Sequence, residues 1–325
     1  MHPDSEAGSV PAPGTAPLPE VRTGGSVPPR KLADGQRTQL WIANVGTGRT
    51  ELLLETDEIL LEAPNWTLDG TRLVVNGAGR LWSVAMDAPA LVPIPLDGVP
   101  DLNNDHVLAP DGKRIFVSAM DWHIYEASLA GGPTRRVTGA SGIDGLLHFL
   151  HGVSPDGERL AFIGIEPAGG DNPRTRANVF TMAVGGGYRR ITDTAHPADG
   201  SEYSPDGRWI YFNTEQFSGH AQLARIPVDG GELERLRVSD TVDWFPHLSP
   251  DSRRAAFVAF PPGTEGHPAD LWVDIMAADT DDWQQPTTIA RVFGGQGSLN
   301  VNSWAPDSTR FAYVAYPVPG STPEH

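Results

Sequence analysis

The sequence has 325 residues, no cysteine and a formal net charge of −17 at pH 7. This acidic balance argues against nucleic acids and anionic membranes as partners, because a binding face would have to overcome long-range repulsion. No stretch approaches 18 consecutive apolar residues, and the N-terminal region lacks the basic start and apolar stretch of a secretory signal, so we expect a cytoplasmic protein without a membrane span.

The N-terminal region differs in composition from the rest of the chain. Its first 35 residues contain seven prolines and five glycines and show no periodicity. Such a composition favours disorder. We therefore predict a disordered tail over 1–35, one folded domain over 36–318 and a short C-terminal tail over 319–325.

One four-residue phrase then recurs six times along the chain. Its aspartates lie 42, 45, 50, 45 and 56 residues apart, the period of a four-stranded propeller blade. All six copies contain the aspartate, which bonds nearby backbone amides; five contain a proline, which favours a turn, and four end in a glycine, which tolerates positive φ. The six copies are Thr67–Gly70, Ala109–Gly112, Ser154–Gly157, Ser204–Gly207, Ser249–Ser252 and Ala305–Ser308.

The segments that flank each phrase are rich in β-branched and aromatic residues, which indicates strands. The two ends of the chain are complementary. Residues 38–55 have the pattern of a third and fourth strand, and residues 301–316 that of a first and second strand. The sequence therefore predicts an all-β, six-bladed β-propeller in which N-terminal strands complete the C-terminal blade, a closure that removes free sheet edges.

Polar residues lie four or five positions before the repeated aspartates, where the innermost strands border the channel. Imidazole and carboxylate groups that converge there could bind one divalent metal ion, Mn²⁺, Zn²⁺ or Fe²⁺. The predicted ligands are His106, His151, Glu202 and His247. The two spacings differ by one residue, so a bulge or strong twist is needed to direct all four inward. The alternative is that these histidines form hydrogen bonds between blades.

Other residues are candidates for a substrate pocket above this metal. Proton abstraction needs a nearby base, and recognition needs polar, aromatic or cationic groups at the channel mouth or in long loops. Candidate bases are Tyr203, Asp105 and His123. Candidate substrate-binding residues are Asn104, Trp244, Arg174, Arg176 and Gln296. His196, His220 and His267 are predicted to lie in loops that take no part in metal binding.

The phrases Ser154–Phe162 and Ser204–Phe212 resemble the repeats of TolB-type six-bladed propellers, and the resemblance covers about residues 38–316. These repeats also occur in the propellers of prolyl-oligopeptidase-type peptidases and in oligogalacturonate lyases. In the lyases, histidines and a glutamine hold a divalent metal, and the type of ligand set is similar here. The resemblance therefore implies the fold more strongly than the function.

Two functions follow as alternatives. The first is a metal-dependent enzyme that acts on a sugar or uronate-like small molecule in the channel, by β-elimination or a related proton abstraction. The second is a non-catalytic, TolB-like propeller that binds a protein or another ligand. Stoichiometric metal in the purified protein would favour the first.

Overall fold

A computed structural model describes residues 28–139, 145–167 and 176–320. Their regular elements are β-strands only, and none of the described segments is a helix that could cross a membrane. In chain order the strands are β1 (Thr38–Asn44), β2 (Arg49–Thr56), β3 (Leu61–Trp66), β4 (Arg72–Gly77), β5 (Arg80–Ala85), β6 (Leu91–Ile94), β7 (Leu96–Asp97), β8 (Leu102–Leu108), β9 (Arg114–Ala119), β10 (Ile124–Ser128), β11 (Gly132–Pro133), β12 (Arg135–Arg136), β13 (Leu147–Val153), β14 (Arg159–Glu166), β15 (Arg176–Ala183), β16 (Tyr188–Arg190), β17 (Ala198–Tyr203), β18 (Trp209–Thr214), β19 (Gln222–Pro227), β20 (Glu234–Arg235), β21 (Val242–Leu248), β22 (Arg254–Phe260), β23 (Ala269–Asp279), β24 (Asp282–Gly295) and β25 (Arg310–Ala315).

These strands form the six blades that the repeat predicts. Blade 1 has the order β3-β4-β5-β6, blade 2 β8-β9-β10-β12, blade 3 β13-β14-β15-β16, blade 4 β17-β18-β19-β20 and blade 5 β21-β22-β23-β24. Strands β7 and β11 pair in parallel between blades 1 and 2. The fold prediction is therefore confirmed.

Blade 6 is built from both ends of the chain, as predicted. Strand β25 pairs antiparallel with β1, which pairs with β2, and a bridge between Trp304 and Phe311 supplies the innermost segment. The ring therefore closes through hydrogen bonds between residues 39–44 and residues 310–315.

The repeated phrase forms the turn between the first and second strand of each blade. In blade 4, the amide of Gly207 donates to the carbonyl of Ser204 over 2.9 Å. The carboxylate of Asp206 accepts from the amide of Arg208 over 3.0 Å and from the hydroxyl of Ser204 over 2.6 Å. These are the bonds expected of a turn that aspartate and glycine specify.

Apolar side chains fill the spaces between neighbouring blades. The described residues form six buried apolar clusters, and each joins two successive blades around the ring. Leu40 of blade 6, for example, packs in one cluster with Leu61 of blade 1. The interfaces between blades, rather than a central core, therefore stabilise the ring and leave polar residues on the channel.

Five of the six innermost strands carry an irregularity in register near their middle. In blades 1, 4 and 5 the residue at this point has positive φ, which is 54° at Ala63, 69° at Gly200 and 59° at Phe245. A bulge bends the strand and changes the direction of the side chains before it. The bulges therefore divide the side chains that line the channel into two sets, one before the bulges and one after them.

Candidate functional site at one end of the channel

The six innermost segments place a set of mostly polar and aromatic side chains at the same position, seven residues before the turn aspartate. We call the end of the channel that this set surrounds the channel mouth. The six residues are Glu62, Asn104, Phe149, Asp199, Trp244 and Asn300. Since they come one from each blade, the site exists only when the ring is closed.

A chain of ionisable groups crosses the channel mouth from blade 3 to the loop after β22. The Nε2 atom of His151 lies 2.9 Å from Asp199 Oδ1, and the Nε2 atom of His267 lies 3.4 Å from Asp199 Oδ2. His267 also contacts the side-chain oxygen of Gln296 through Nδ1. Asp199 and His267 keep exposed side-chain fractions of 23% and 26%, so solvent reaches this part of the site.

The charges in this chain are coupled. Burial alone would lower the pKa of His151, but Asp105 and Asp199 outweigh it and raise the pKa to about 9. Partial enclosure would raise the pKa of Asp199, but hydrogen bonds from His151 and His267 lower it well below its usual range. His151 is therefore an imidazolium at neutral pH and Asp199 a carboxylate.

Asp105 is the second carboxyl group near His151. Burial raises its pKa to about 6, an effect that His151 opposes and Asp199 reinforces. Its Oδ2 atom accepts from Asn103 Nδ2 over 3.0 Å. Asp105 is thus poised to change charge near neutral pH, which is a property of a candidate functional residue.

An arginine from the N-terminal segment enters the channel mouth. The Nη1 atom of Arg30 lies 2.7 Å from Glu62 Oε1 and donates to the carbonyl of Gln296 over 2.7 Å. Its guanidinium lies 5.3 Å from the centre of the Tyr316 ring. Burial raises the pKa of Glu62 and Arg30 opposes that rise. Residues 28–35 therefore contribute to the site, and the predicted tail remains a prediction for residues 1–27, which lie outside the described residues.

Three buried donors at the channel mouth have no hydrogen bond of normal geometry among the described residues. They are Asn104 Nδ2, His151 Nδ1 and Trp244 Nε1. Asn104 lies close enough to Glu62 to lower the pKa of that carboxyl, and the backbone of Asn300 lies close enough to His151 to raise the pKa of the imidazole. Because a buried donor without a well-formed hydrogen bond is costly, a further acceptor from water or a ligand is expected at the channel mouth, above all beside Trp244 Nε1.

A second set of polar side chains, after the bulges, links the blades. We call it the inter-blade belt; its members are Asn65, Glu202, His247 and Asn302. Glu202 accepts from Asn302 Nδ2 over 2.8 Å and from the amide of Leu248 over 3.1 Å. Asn65 in turn donates to the carbonyl of Asn302 and accepts from the amide of Leu108.

His247 uses both of its ring nitrogens in this belt. Nδ1 lies 2.6 Å from Glu202 Oε2, and Nε2 lies 3.0 Å from the carbonyl of Leu299. Both ring nitrogens therefore face a partner within the protein, and neither is directed at open space in the channel. For His247 the structure therefore shows the alternative of hydrogen bonding between blades.

The predicted metal ligands are divided between different parts of the channel. Glu202 and His247 contact each other in the belt, His151 pairs with Asp199 at the channel mouth, and His106 Nε2 lies 3.4 Å from the carbonyl of Val74. Burial lowers the pKa of His106 to about 4. Among the described residues, no group of three or more histidine, aspartate or glutamate side chains is arranged to hold a metal ion. The four-ligand metal site therefore stays a prediction, and its side chains have the other partners named here.

The remaining predicted residues divide between the channel mouth and other parts of the fold. Tyr203 packs in the apolar cluster between blades 3 and 4, and His123 bonds Thr138 in blade 2 over 2.9 Å. Arg176 begins β15 and forms an ion pair of 2.6 Å with Asp193. Arg174 lies outside the described residues. Asp105, Asn104, Trp244 and Gln296 lie at the channel mouth.

Sequence reasoning missed four residues of the site, Arg30, Glu62, Asp199 and His267. Glu62 and Asp199 carry a usable signal, because both lie seven residues before a turn aspartate, at the position that also gives Asn104 and Trp244. His267 lies in a loop, as predicted, but its contact with Asp199 brings it into the site. Arg30 has no signal in the sequence.

Comparison with known proteins identifies the family. No family model matches the chain. Protein Atu1656 of Agrobacterium fabrum is 35% identical over 286 residues, which are 86% of this chain and 92% of the relative. A solved structure from Agrobacterium tumefaciens, provisionally called TolB, is 35% identical, has a TM-score of 0.79 and is matched over 87% of this chain and 99% of its own. The chain belongs to the TolB-like propeller family.

This TolB-like propeller also shares its fold with more distant proteins. An oligogalacturonate lyase in complex with manganese is 13% identical, with a TM-score of 0.52 over 81% of this chain and 74% of the lyase. At that identity the likeness shows the fold alone.

Proposed function

We propose that this TolB-like propeller is a non-catalytic binding protein whose channel mouth takes an extended peptide segment of a partner protein. The observation that carries the proposal is the set of buried donors that lack a hydrogen bond of normal geometry, Asn104, His151 and Trp244, at a channel mouth to which every blade contributes. An extended peptide supplies carbonyl oxygens at regular intervals, and these are the acceptors that such donors require.

The packing of the channel mouth favours a peptide over a sugar. Trp244 is 6% exposed, and its ring centre lies 4.3 Å from that of His267 and 5.5 Å from that of Phe245. The ring therefore has little free face on which a sugar could stack. Its indole N–H is buried as well and has no hydrogen-bond partner among the described residues, and a single carbonyl oxygen inserted beside it would pair it.

The metal-dependent uronate lyase remains the competing function, and the described residues fit it poorly. Such an enzyme needs several ligands with free lone pairs around one ion. Both ring nitrogens of His247 are engaged, one by Glu202 and one by the carbonyl of Leu299, and the raised pKa of His151 keeps its imidazole protonated. We therefore derive no catalytic step through a metal.

The test begins with a phage-displayed peptide library selected on the full-length protein. The affinity of a selected peptide is then measured by fluorescence polarisation for wild type, Asn104→Leu and Trp244→Phe. Each variant removes one unpaired donor, so binding should weaken about fivefold or more in each. Arg208→Ala, on an exposed turn with a side chain 77% exposed, is the matched control and should bind as wild type.

The same protein is incubated with oligogalacturonate and Mn²⁺, and the ultraviolet absorbance of an unsaturated product is followed. Equal peptide affinity in wild type, Asn104→Leu and Trp244→Phe would remove the basis of the proposal. Stoichiometric metal together with product formation would replace the binding function with the lyase.

A further inference from the structure

We infer that the pocket filled by Arg30 is a guanidinium-binding site, in which Arg30 holds the place of an arginine from the peptide ligand. This inference deepens the proposed function and rests on it for the identity of the ligand. It concerns the part of the channel mouth formed by Glu62, Gln296 and Tyr316.

The pocket has three features that suit a guanidinium group. A carboxylate oxygen of Glu62 and the carbonyl oxygen of Gln296 each lie 2.7 Å from Nη1 of Arg30, and the guanidinium lies over the Tyr316 ring, 5.3 Å from its centre. Because both acceptors contact one nitrogen, the preference for guanidinium over a compact ammonium rests on the aromatic face, against which a planar cation stacks. The Glu62 side chain is only 9% exposed, so its charge is poorly screened by solvent.

The walls of this pocket are fixed by the ring and not by Arg30. The Tyr316 hydroxyl donates to the carbonyl of Leu61 over 2.7 Å, and the amide of Ala63 donates to the carbonyl of Gly297 over 2.8 Å. A Cβ atom on Gly297 would lie 2.5 Å from the Tyr316 hydroxyl and 2.7 Å from the Glu62 carboxylate. The pocket is therefore packed to its limit around the acceptors and should persist when Arg30 leaves.

Arg30 itself belongs to a segment that can move without breaking a strand. Residues 28–33 form no regular element, and β1 begins only at Thr38. The Arg30 side chain is 28% exposed, so the guanidinium is in reach of solvent. Its departure would leave the buried Glu62 without its cation, and burial and the charge of Asp105 would then raise the pKa of Glu62 further. A proton and another cation would compete for this carboxylate, so capture of a guanidinium is favoured where Glu62 stays ionised.

The test is chemical rescue of Arg30→Ala with N-methylguanidinium chloride, measured as the shift in melting temperature of the full-length protein. Arg30→Ala should melt below wild type, and millimolar methylguanidinium should raise its melting temperature by about 2 °C or more. Methylammonium at the same concentration should raise it less. Wild type, whose pocket is filled, should show no shift.

Two variants separate this site from general ion effects. Arg37→Ala removes a neighbouring arginine whose ion pair with Glu55 is exposed, so methylguanidinium should not rescue it. Arg30→Ala with Glu62→Gln removes the carboxylate, so the rescue should disappear. Should Arg30→Ala fail to fold by itself, the yield of folded protein after refolding with N-methylguanidinium, compared with methylammonium, carries the same comparison.

Equal shifts in Arg30→Ala, Arg37→Ala and wild type, or rescue that survives Glu62→Gln, would overturn the inference. The rescue uses no peptide, so it is independent of the proposed function. If peptides bind but methylguanidinium does not rescue Arg30→Ala and the selected peptides show no preference for arginine, this inference alone is removed. Rescue without any peptide binding would remove the proposed function and leave a guanidinium site.

Discussion

Replacement of Glu202 by alanine should lower the free energy of unfolding, because the carboxylate of Glu202 forms hydrogen bonds with three partners from two other blades. It receives hydrogen bonds from Asn302 Nδ2 at 2.8 Å, from the amide of Leu248 at 3.1 Å and from His247 Nδ1 at 2.6 Å. Alanine leaves a buried amide and a buried imidazole without an acceptor. Removal of one partner from a buried network typically costs about 3–5 kcal/mol.

That cost is a large share of the stability of an ordinary domain, which is about 5–15 kcal/mol. Glu202→Gln should cost less, about 1–2 kcal/mol, because its amide oxygen can still accept from Asn302 and Leu248. The matched control is Glu158→Ala on an exposed turn of blade 3, which should change the free energy of unfolding by less than about 0.5 kcal/mol.

The measurement is urea denaturation followed by circular dichroism and tryptophan fluorescence, with elemental analysis of the same samples. A loss of less than about 1 kcal/mol in Glu202→Ala would contradict the role assigned to the inter-blade belt. So would one equivalent of metal in wild type that is absent from a stably folded Glu202→Ala, because Glu202 would then act as a ligand.

Two further changes test the charges and the turns. The pKa of His151 is raised from 6.5 to about 9 in the folded protein. The stability that the protonated imidazole contributes is therefore fully present below pH 6.5 and is lost as the pH rises through 9. The free energy of unfolding should fall by about 3 kcal/mol over that range, and urea titrations of His151→Asn should show a flatter profile. Gly207 has φ of 71° in its turn, so Gly207→Ala should lower stability by about 1 kcal/mol. Ser252 has φ of 61° at the same turn position, so Ser252→Gly should raise the melting temperature; a decrease would contradict the strain argument.

The fold was predictable because its determinants are local. Each turn phrase contains the residues that its own hydrogen bonds require, as Ser204, Asp206 and Gly207 do in blade 4. The ring closure followed from counting strands at the two chain ends. Neither inference needed knowledge of contacts between distant residues.

The site was harder to predict because the bulges shift the register inside the innermost strands. A count from the turn aspartates reaches His247 and Glu202, but it does not reveal the hydrogen bonds that these two side chains form with each other and with neighbouring blades. The bulges themselves are hidden, since Ala63 and Phe245 adopt positive φ without being glycine. Arg30 is hidden for another reason: its place is set by Glu62 and Gln296, which are distant in sequence.

Closure of blade 6 by the two ends of the chain has a consequence for biosynthesis. Strand β1 emerges from the ribosome among the first segments, but its partner β25 ends at Ala315. At about 5–20 residues per second, β1 waits roughly 15–60 s for that partner. During this time the apolar face that contains Leu40 and Ile42 is uncovered, and the nascent chain depends on chaperones or on its first blades to protect it. A premature stop that removes β25 should therefore yield an aggregating chain even though five blades are complete.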